Sequence, residues 1–306
     1  MVFCRDILYI NFNFYRQNYF LIQRIICTLY ENKRMIMNLL EIATRAVALA
    51  GEEVLKQYQN GFSTETKADG SPVTSADLAA NKILQKHVSF TDIPYFSEEG
   101  DKDSLQEIRN TPTYWIADPI DGTMDFVNKT DEYCVCLGLV ENNTAKLGVL
   151  YAPSLGLFYF GSDKCPSRKF IGTQQQLHKM ALKSDFFEQL MKHSKPIPTM
   201  DLPEDYTFLC SKFHMDPGTE EYIKKIKSEH EIFRTKPMGS VIKLGLIADR
   251  WATEYTRFRP VNFWDIAAGH AIAKYAGLKV CYPNTDKEIT YDSEDLKVHG
   301  YSIHWK

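Results

Sequence analysis

The stretch Trp115-Ile116-Ala117-Asp118-Pro119-Ile120-Asp121-Gly122-Thr123 carries the strongest structural signal in this chain. Its apolar start predicts a β-strand over 113–117 that delivers Asp118 to its carboxyl end. Pro119 fixes φ and lacks a backbone N–H, so we expect the chain to turn there. Asp121 follows three residues after Asp118, close enough for both carboxylates to hold one hard cation.

The two residues after Asp121 suit the binding of a phosphate group. Gly122 lets the backbone approach a ligand closely. Thr123 is placed to begin a helix, where free N–H groups bind anions. The same residues are also typical of a turn, so this stretch by itself is compatible with either a metal-and-phosphate site or a structural turn.

Two further acidic segments favour a site. Glu98 and Glu99 follow a predicted strand at 93–97, although they would also suit a solvent-exposed loop. Asp265 lies at the start of an apolar helix, where the helix dipole alone would favour a carboxylate. The small residues at 267–269 would let that helix approach another element closely. Because these motifs offer oxygen ligands and neither His nor Cys, they favour Mg²⁺ over zinc.

Hydrophobic periodicity predicts helices and strands along the whole chain. Thr74 and Asp77 form a capping signal for one helix, and Asn142-Asn143 marks a turn between two strands. This mixture predicts α/β or α+β layers. The expected helices cover 37–58, 76–88, 219–228, 240–248 and 264–275, and the expected strands cover 93–97, 113–118, 133–140, 145–151, 155–160, 207–210 and 251–255.

Composition excludes several classes of protein. The chain has 306 residues, 44% of them hydrophobic, which is enough to form a substantial core in one domain or two packed lobes. A net charge of -3 lacks the basic excess that is typical of nucleic-acid binding. The seven cysteines show no paired zinc-binding spacing, and we interpret them as reduced thiols of a cytoplasmic protein.

The N-terminal segment is interpreted separately from the rest of the chain. It is rich in Phe, Tyr, Ile and Asn, and it has neither the clean apolar run nor the cleavage site of a signal peptide. We interpret it as an extension upstream of a start at Met35 or Met37; the alternative is a weak, peripheral anchor at the inner membrane. The predicted organisation is an extension at 1–36, an N-terminal lobe with the main metal site at 37–183, an insertion or connection at 184–204, and a C-terminal lobe at 205–306 that completes the site.

Two of these motifs together resemble the inositol monophosphatase-like family of phosphatases. Residues 115–126 match the pattern W-x-x-D-P-x-D-G-T-x-x-F, and residues 264–269 match W-D-x-A-A-G. The resemblance extends from about residue 38 to the C-terminus. It implies a layered αβαβα sandwich with a metal site between two lobes.

The resemblance also implies a set of metal ligands. Two or three Mg²⁺ ions would be bound through oxygen atoms alone, as this cation prefers. The implied ligands are the carboxylates of Glu98, Asp118, Asp121 and Asp265 and the carbonyl of Ile120.

Further implied roles concern the hydrolysis of a phosphomonoester by water. The residues that would orient and deprotonate the nucleophilic water are Asp77, Glu98 and Thr123. The backbone at Gly122 and Thr123 would hold the scissile phosphate. No covalent intermediate with the protein is required.

Four stretches, at 67–77, 211–214, 239–243 and 257–265, are similar to bacterial 3'(2'),5'-bisphosphate nucleotidases of the CysQ type. This similarity implies hydrolysis of 3'-phosphoadenosine 5'-phosphate, a by-product of sulfate activation, to AMP and phosphate. It implies a substrate site that includes Ser211, His214, Ser240, Lys243 and Arg257. The alternatives are a phosphatase of the same family acting on inositol phosphate or fructose 1,6-bisphosphate, and a non-catalytic anion-binding protein.

Overall fold

The computed structural model describes residues 39–68, 70–101, 105–212 and 215–305. The predicted extension at 1–36 and the predicted substrate residue His214 lie outside these ranges. None of the helices in the described part of the chain has the length and hydropathy needed to cross a bilayer.

Eight α-helices occur in the described ranges: α1 (39–60), α2 (Ser75–Val88), α3 (Thr123–Val127), α4 (Gln174–Ala181), α5 (Phe186–Lys192), α6 (Pro217–Glu229), α7 (Ile242–Ala248) and α8 (Phe263–Tyr275). Short 3₁₀ helices follow at Ser89–Thr91 and Gln106–Asn110. The strands are β1 (Thr64–Thr66), β2 (Pro72–Thr74), β3 (Tyr95–Ser97), β4 (Thr113–Asp121), β5 (Cys134–Glu141), β6 (Thr144–Ala152), β7 (Leu157–Ser162), β8 (Cys165–Phe170), β9 (Ser194–Pro196), β10 (Tyr206–Ser211), β11 (Phe233–Met238), β12 (Glu254–Arg257), β13 (Val261–Asn262), β14 (Lys297–Val298) and β15 (Tyr301–His304).

Two larger sheets contain most of these strands. The first has seven strands in the order β3-β4-β5-β6-β7-β8-β9, and its only parallel pair among the described strands is β3 with β4. The second has the order β11-β10-β12-β15, with β10 parallel to both neighbours. The pairs β1-β2 and β13-β14 form small separate ladders.

Helices cover the faces of both sheets. Gly148 of β6 packs against α8, while Tyr151, three residues further along the same strand, packs against Gly51 of α1. Because successive side chains of a strand point to opposite faces, α1 and α8 cover opposite faces of the seven-stranded sheet. Helix α7 contacts both α8 and the second sheet, and α6 contacts β12 of that sheet. The layers therefore follow the αβαβα order that the sequence resemblance implied.

Several local predictions are confirmed. Thr74 and Asp77 form the expected capping box at the start of α2. Asn142 and Asn143 join β5 to β6 with φ of 49° and 59°, the left-handed conformation that Asn tolerates well. The predicted helices and strands are present with shifts of a few residues at their ends.

Other elements were missed or interpreted differently. The segment 184–204, expected to be an insertion or connection, contains α5 and the sheet-edge strand β9. Its polar, proline-containing sequence gave no sign of a strand, but Pro196 lies on an edge strand, where a missing N–H is tolerated. Strands β8 and β11 were also missed, because their charged and proline-containing sequences lack clear alternation. The predicted lobe boundaries remain predictions.

Helix α8 lies unusually close to the seven-stranded sheet. A Cβ atom at Gly138 would lie 3.1 Å from the backbone nitrogen of Ala268 and 3.2 Å from the Cβ of Ala267. A Cβ atom at Gly148 would collide with the backbone of Ala268, whose carbonyl carbon would be 2.9 Å away. The small residues of the helix therefore allow the close approach that the sequence predicted.

We expect the Gly148→Ala variant to be destabilised by about 2 kcal/mol, because the new methyl group meets helix backbone that cannot move aside as a side chain would. Urea denaturation followed by circular dichroism would measure the change in the free energy of unfolding. Gly61→Ala is the control: its Cβ would have nothing within 4 Å, so only its backbone conformation, with φ of 109°, is penalised. Equal stability of Gly148→Ala and the wild type would contradict the proposed contact.

Candidate metal centre and substrate cleft

The parallel pair β3 and β4 brings the first two acidic residues together. Ser97 is the register partner of Ala117, and the N–H of Glu98 donates to the carbonyl of Ala117 over 3.1 Å. Because the two strands run in the same direction, the residues that follow this pair, Glu98 and Asp118, reach the same edge of the sheet.

The third acidic residue comes from the start of α8. Asp265 is the third residue of this helix, and its Oδ2 accepts a hydrogen bond from the N–H of Asn262 over 3.0 Å. This capping interaction fixes the carboxylate at the first turn of the helix. The packing of α8 on the sheet then carries Asp265 to Asp118.

The three carboxylates meet in one cluster. One oxygen from each of Glu98, Asp118 and Asp265 lies within 4.8 Å of the other two. Burial raises the pKa of Asp118 and of Asp265 well above the usual range, and the neighbouring carboxylates raise both further. Burial also raises the pKa of Glu98. A hard divalent cation would be coordinated by the three converging oxygens, and its positive charge would offset the repulsion between the carboxylates.

A lysine neutralises part of this negative charge. Lys67 Nζ lies 2.7 Å from Glu98 Oε1 and 2.6 Å from Glu99 Oε1. Burial acts to lower the pKa of Lys67, yet its interactions with the two glutamates raise it above the usual value. The loop between β1 and β2 therefore contributes a fixed cation beside the acidic cluster.

The turn after Asp118 is a bulge within β4. Asp118 pairs with Cys136 and Asp121 pairs with Cys134. The chain therefore advances three residues along β4 where it advances two along β5, which leaves one extra residue in β4. The expected turn at Pro119 is thus an irregularity inside a longer strand. Asp118 Oδ1 also accepts a hydrogen bond from the N–H of Ile120 over 3.0 Å, which stabilises the bulge.

Gly122 and Thr123 follow this bulge as predicted at the start of α3. Gly122 has φ of 90°, and a Cβ there would lie 3.0 Å from the carbonyl oxygen of Glu132, so both conformation and space favour glycine. Thr123 Oγ1 donates to the carbonyl of Ile120 over 3.0 Å. The carboxylate of Asp121 accepts the N–H of Val241 and does not belong to the cluster of three.

Asp77 lies at the start of α2. Its Oδ2 accepts hydrogen bonds from the N–H and the hydroxyl of Thr74, over 2.8 Å and 2.5 Å. Burial raises the pKa of Asp77 to about 6, although the bonds from Thr74 act in the opposite direction.

A cleft of about 480 Å³ opens onto the cluster. The predicted ligands Glu98, Asp118, Ile120, Asp121 and Asp265 line it, as do the predicted substrate residues Gly122, Thr123, Ser211, Ser240, Lys243 and Arg257. The structure therefore brings the predicted site residues to one cleft, with the exception of Asp77, which does not line it, and His214, which lies outside the described residues.

The two cationic side chains that were predicted to bind substrate already make hydrogen bonds within the protein. Lys243 is buried, and its Nζ donates to the carbonyls of Met238 and Ser240. Arg257 donates to the carbonyls of Arg259 and Pro260, over 3.2 Å and 3.4 Å. Each retains further N–H donors that can reach a ligand.

The structure also shows cleft residues that sequence reasoning missed. Lys212, Arg259 and Lys297 line the same cleft. Lys212 directly follows the predicted substrate residue Ser211, and Arg259 is two positions after the predicted substrate residue Arg257. Their closeness in sequence is a signal that could have identified them. Lys297 belongs to β14, which no sequence pattern pointed to.

The described cysteines are free thiols. Cys134, Cys136, Cys165 and Cys210 are buried and Cys281 is partly buried. Cys134 and Cys136 point to the same side of β5 with their sulfur atoms 3.4 Å apart. The acidic cluster includes no cysteine or histidine, which agrees with the expectation of oxygen ligands.

Comparison with known proteins agrees with this geometry. The sequence model of the inositol monophosphatase family matches residues 35–304. The 3'(2'),5'-bisphosphate nucleotidase CysQ of Escherichia coli K12 is 31% identical over 235 residues, which cover 76% of this chain and 85% of that protein. The protein of the same name from Buchnera aphidicola is 33% identical over 237 residues, which cover 76% and 79%.

Solved structures give the same result. CysQ from Bacteroides thetaiotaomicron, described as a bacterial member of the inositol monophosphatase family, superposes with a TM-score of 0.77 at 32% identity and covers 88% of this chain and 97% of that one. The Thermotoga maritima IMPase, with a TM-score of 0.65 at 20% identity over 87% of this chain and 92% of that one, shares the fold. Because the family model matches most of the chain and the CysQ relatives exceed 30% identity over three quarters of it, this chain belongs to the inositol monophosphatase family.

Proposed function

We propose that this protein is a Mg²⁺-dependent phosphomonoester hydrolase, and specifically a 3'(2'),5'-bisphosphate nucleotidase that converts 3'-phosphoadenosine 5'-phosphate to AMP and phosphate. The observation that carries this proposal is the convergence of three carboxylates, buried Asp118 and partly buried Glu98 and Asp265, at a cleft that is also lined by lysines and arginines. The nucleotidases that are about 31% identical to this chain support the choice of substrate.

The residues at the cleft fit the proposed ions. Glu98, Asp118 and Asp265 would hold a first Mg²⁺, and Asp121 with the carbonyl of Ile120 would add ligands for one or two more. When bound, the ions would neutralise phosphate oxygens and lower the pKa of a water molecule.

Thr123 is suited to orient the attacking water. Its hydroxyl has one donor, which the carbonyl of Ile120 accepts, so its oxygen remains available to accept a hydrogen bond. A water that donates to Thr123 would have its lone pair directed elsewhere, toward phosphorus. Backbone N–H groups at Gly122 and Thr123 would hold the phosphate. The phosphate could come close to this backbone because Gly122 has no Cβ.

Asp77 and Glu98 are the proposed proton acceptors. A pKa of about 6 for Asp77 is close to neutral, where a general base is most effective. The pKa of Glu98 is likewise raised by burial. Both carboxyl groups thus lie in environments that favour uptake of a proton.

A cytoplasmic location is also part of this proposal. Free thiols at the five described cysteines are typical of a reducing compartment. The suggested membrane-surface anchor concerns residues 1–36, outside the described ranges, and remains a prediction.

Replacement of Asp118 by Asn should reduce phosphate release by more than about 100-fold, because a charged ligand is lost. Without metal, the variant should be at least as stable as the wild type, since the buried member of three clustered carboxylates has lost its charge. Thermal melts with and without Mg²⁺ would show a stabilisation of the wild type that the variant lacks. Asp286→Asn, an exposed position away from the cleft, is the matched control, and full activity of the Asp118 variant would refute the ligand assignment.

The raised pKa of Asp77 predicts a pH dependence of stability. Since its folded value of about 6 exceeds the usual 3.8, folding favours the protonated form, and stability is lost as the pH rises from about 4 to about 6. The loss amounts to about 3 kcal/mol. In Asp77→Asn, measured by urea denaturation with a chelator present, this part of the decline should disappear; Asp286→Asn should retain it. An unchanged slope in the Asp77 variant would show that this carboxyl is not the titrating group.

Substrate choice is tested by phosphate release from 3'-phosphoadenosine 5'-phosphate, inositol 1-phosphate and fructose 1,6-bisphosphate, with and without Mg²⁺. We expect a Mg²⁺-dependent preference for the nucleotide of about tenfold or more in kcat/KM. A preference for either of the other esters would support Mg²⁺-dependent phosphomonoester hydrolysis but contradict the proposal that the nucleotide is the substrate. Tight binding of the nucleotide with no release from any ester would favour the non-catalytic alternative.

A further inference from the structure

The turn between β11 and α7 forms part of the cleft wall in a conformation that needs support from other elements. Gly239 and Ser240 both line the cleft, and Ser240 has φ of 57°. A residue with a Cβ occupies this left-handed region at a cost in free energy, so the conformation persists only where neighbouring groups hold it. The groups that hold this turn are therefore candidates for a role in the geometry of the site.

One of these groups is Glu132, in the loop between α3 and β5. Its side chain is partly buried and does not line the cleft. Its Oε2 accepts a hydrogen bond from the N–H of Gly239 over 2.6 Å and lies 3.2 Å from Nζ of Lys212. Hydrogen bonds to a charged acceptor are stronger than neutral ones, so this oxygen is held firmly between its two partners. Glu132 thus ties the turn to the residue that follows β10.

The backbone of Glu132 contacts a second turn of the site. Its carbonyl oxygen lies 3.0 Å from the position of a Cβ at Gly122 and 3.0 Å from the position of a Cβ at Gly239. The Cβ position at Gly122 is also 3.4 Å from the Cβ of Ser240. Because neither glycine has a Cβ, the turn that follows β4 and the turn that follows β11 can both approach this carbonyl closely.

Both turns carry groups that the proposed reaction needs. The first is the turn proposed to hold the scissile phosphate, and its Thr123 is proposed to orient the attacking water. The second leads to Val241, whose N–H donates to the proposed metal ligand Asp121. A displacement of one turn relative to the other would change the alignment of water and phosphate, and a misplacement of about 1 Å can reduce a rate by about 100-fold.

We propose that Glu132 is a positioning residue for phosphate hydrolysis, which fixes the Gly239–Ser240 turn against the Gly122–Thr123 turn; this inference rests on the proposed function. The carboxylate acts through the N–H of Gly239 and needs no contact with the substrate. Its loss affects alignment more than binding, because the acidic cluster and the cleft cations that would bind the substrate in its ground state remain in place.

The kinetic test compares Glu132→Ala with Glu132→Gln. The alanine variant loses the acceptor for the N–H of Gly239, so kcat for 3'-phosphoadenosine 5'-phosphate should fall about tenfold or more while KM changes by less than about threefold. The glutamine variant lacks the charge but retains a side-chain oxygen that can accept this hydrogen bond, so it should recover most of the lost kcat.

Asp205→Ala is the matched control. It removes an ion pair with Arg234 of the same strand, β11, and neither residue lines the cleft. Both kcat and KM should therefore keep their wild-type values. Circular dichroism melts would show whether the three variants fold as the wild type does.

Amide hydrogen exchange separates this inference from the proposed function, because it requires no turnover. Exchange in a peptide that spans 238–242 should be about tenfold faster in Glu132→Ala than in the wild type, whereas exchange in α2 should be unchanged. This local change, in a protein whose wild type hydrolyses no ester, would support the contact and refute only the proposed function. Wild-type exchange at 238–242 would overturn the positioning role, as would an unchanged kcat in an active Glu132→Ala enzyme or faster exchange along the whole chain.

Discussion

The close contact between α8 and the seven-stranded sheet is the constraint on which the acidic cluster depends. Gly138 and Gly148 leave no side chain between strand and helix, and Ala267 and Ala268 fill the space at backbone distance. Asp265 lies less than one turn before these alanines. A helix held further from the sheet by larger residues would carry this carboxylate away from Asp118, so the packing of small residues sets the geometry of the centre.

The cluster itself opposes folding. Three carboxylates share a small, largely buried volume, and burial, with repulsion from neighbouring carboxylates, raises the pKa values of all three. The fold tolerates this cost because a large apolar core surrounds α8, and because Lys67 supplies one nearby positive charge. Functional sites commonly keep such locally unfavourable groups, and a bound divalent cation would convert the repulsion into attraction.

The remaining cleft wall supplies the opposite charge. Most of its cations are bound within the fold, where Lys243 and Arg257 fix backbone turns. Arg259, in the loop between β12 and β13, and Lys297, in β14, line the same cleft, and their side chains make no hydrogen bond or ion pair with other described residues. The resulting polarity, with carboxylates and free cations in one cleft, suits a small ligand that has phosphate groups at two positions.

Interactions between residues close together in the chain determined much of the local structure, and these could be predicted from the sequence. The capping box of Thr74 and Asp77, the turn at Asn142-Asn143 and the sequence from Asp118 to Thr123 each depend on residues a few positions apart, and the resemblance of two motifs to a phosphatase family implied the layers. Tertiary structure alone decided which groups meet. The pairing of β3 with β4, the approach of α8 and the ladder that brings Lys297 to Asn262 join residues far apart in the chain. No local pattern encodes such contacts, because they follow from the packing of complete elements.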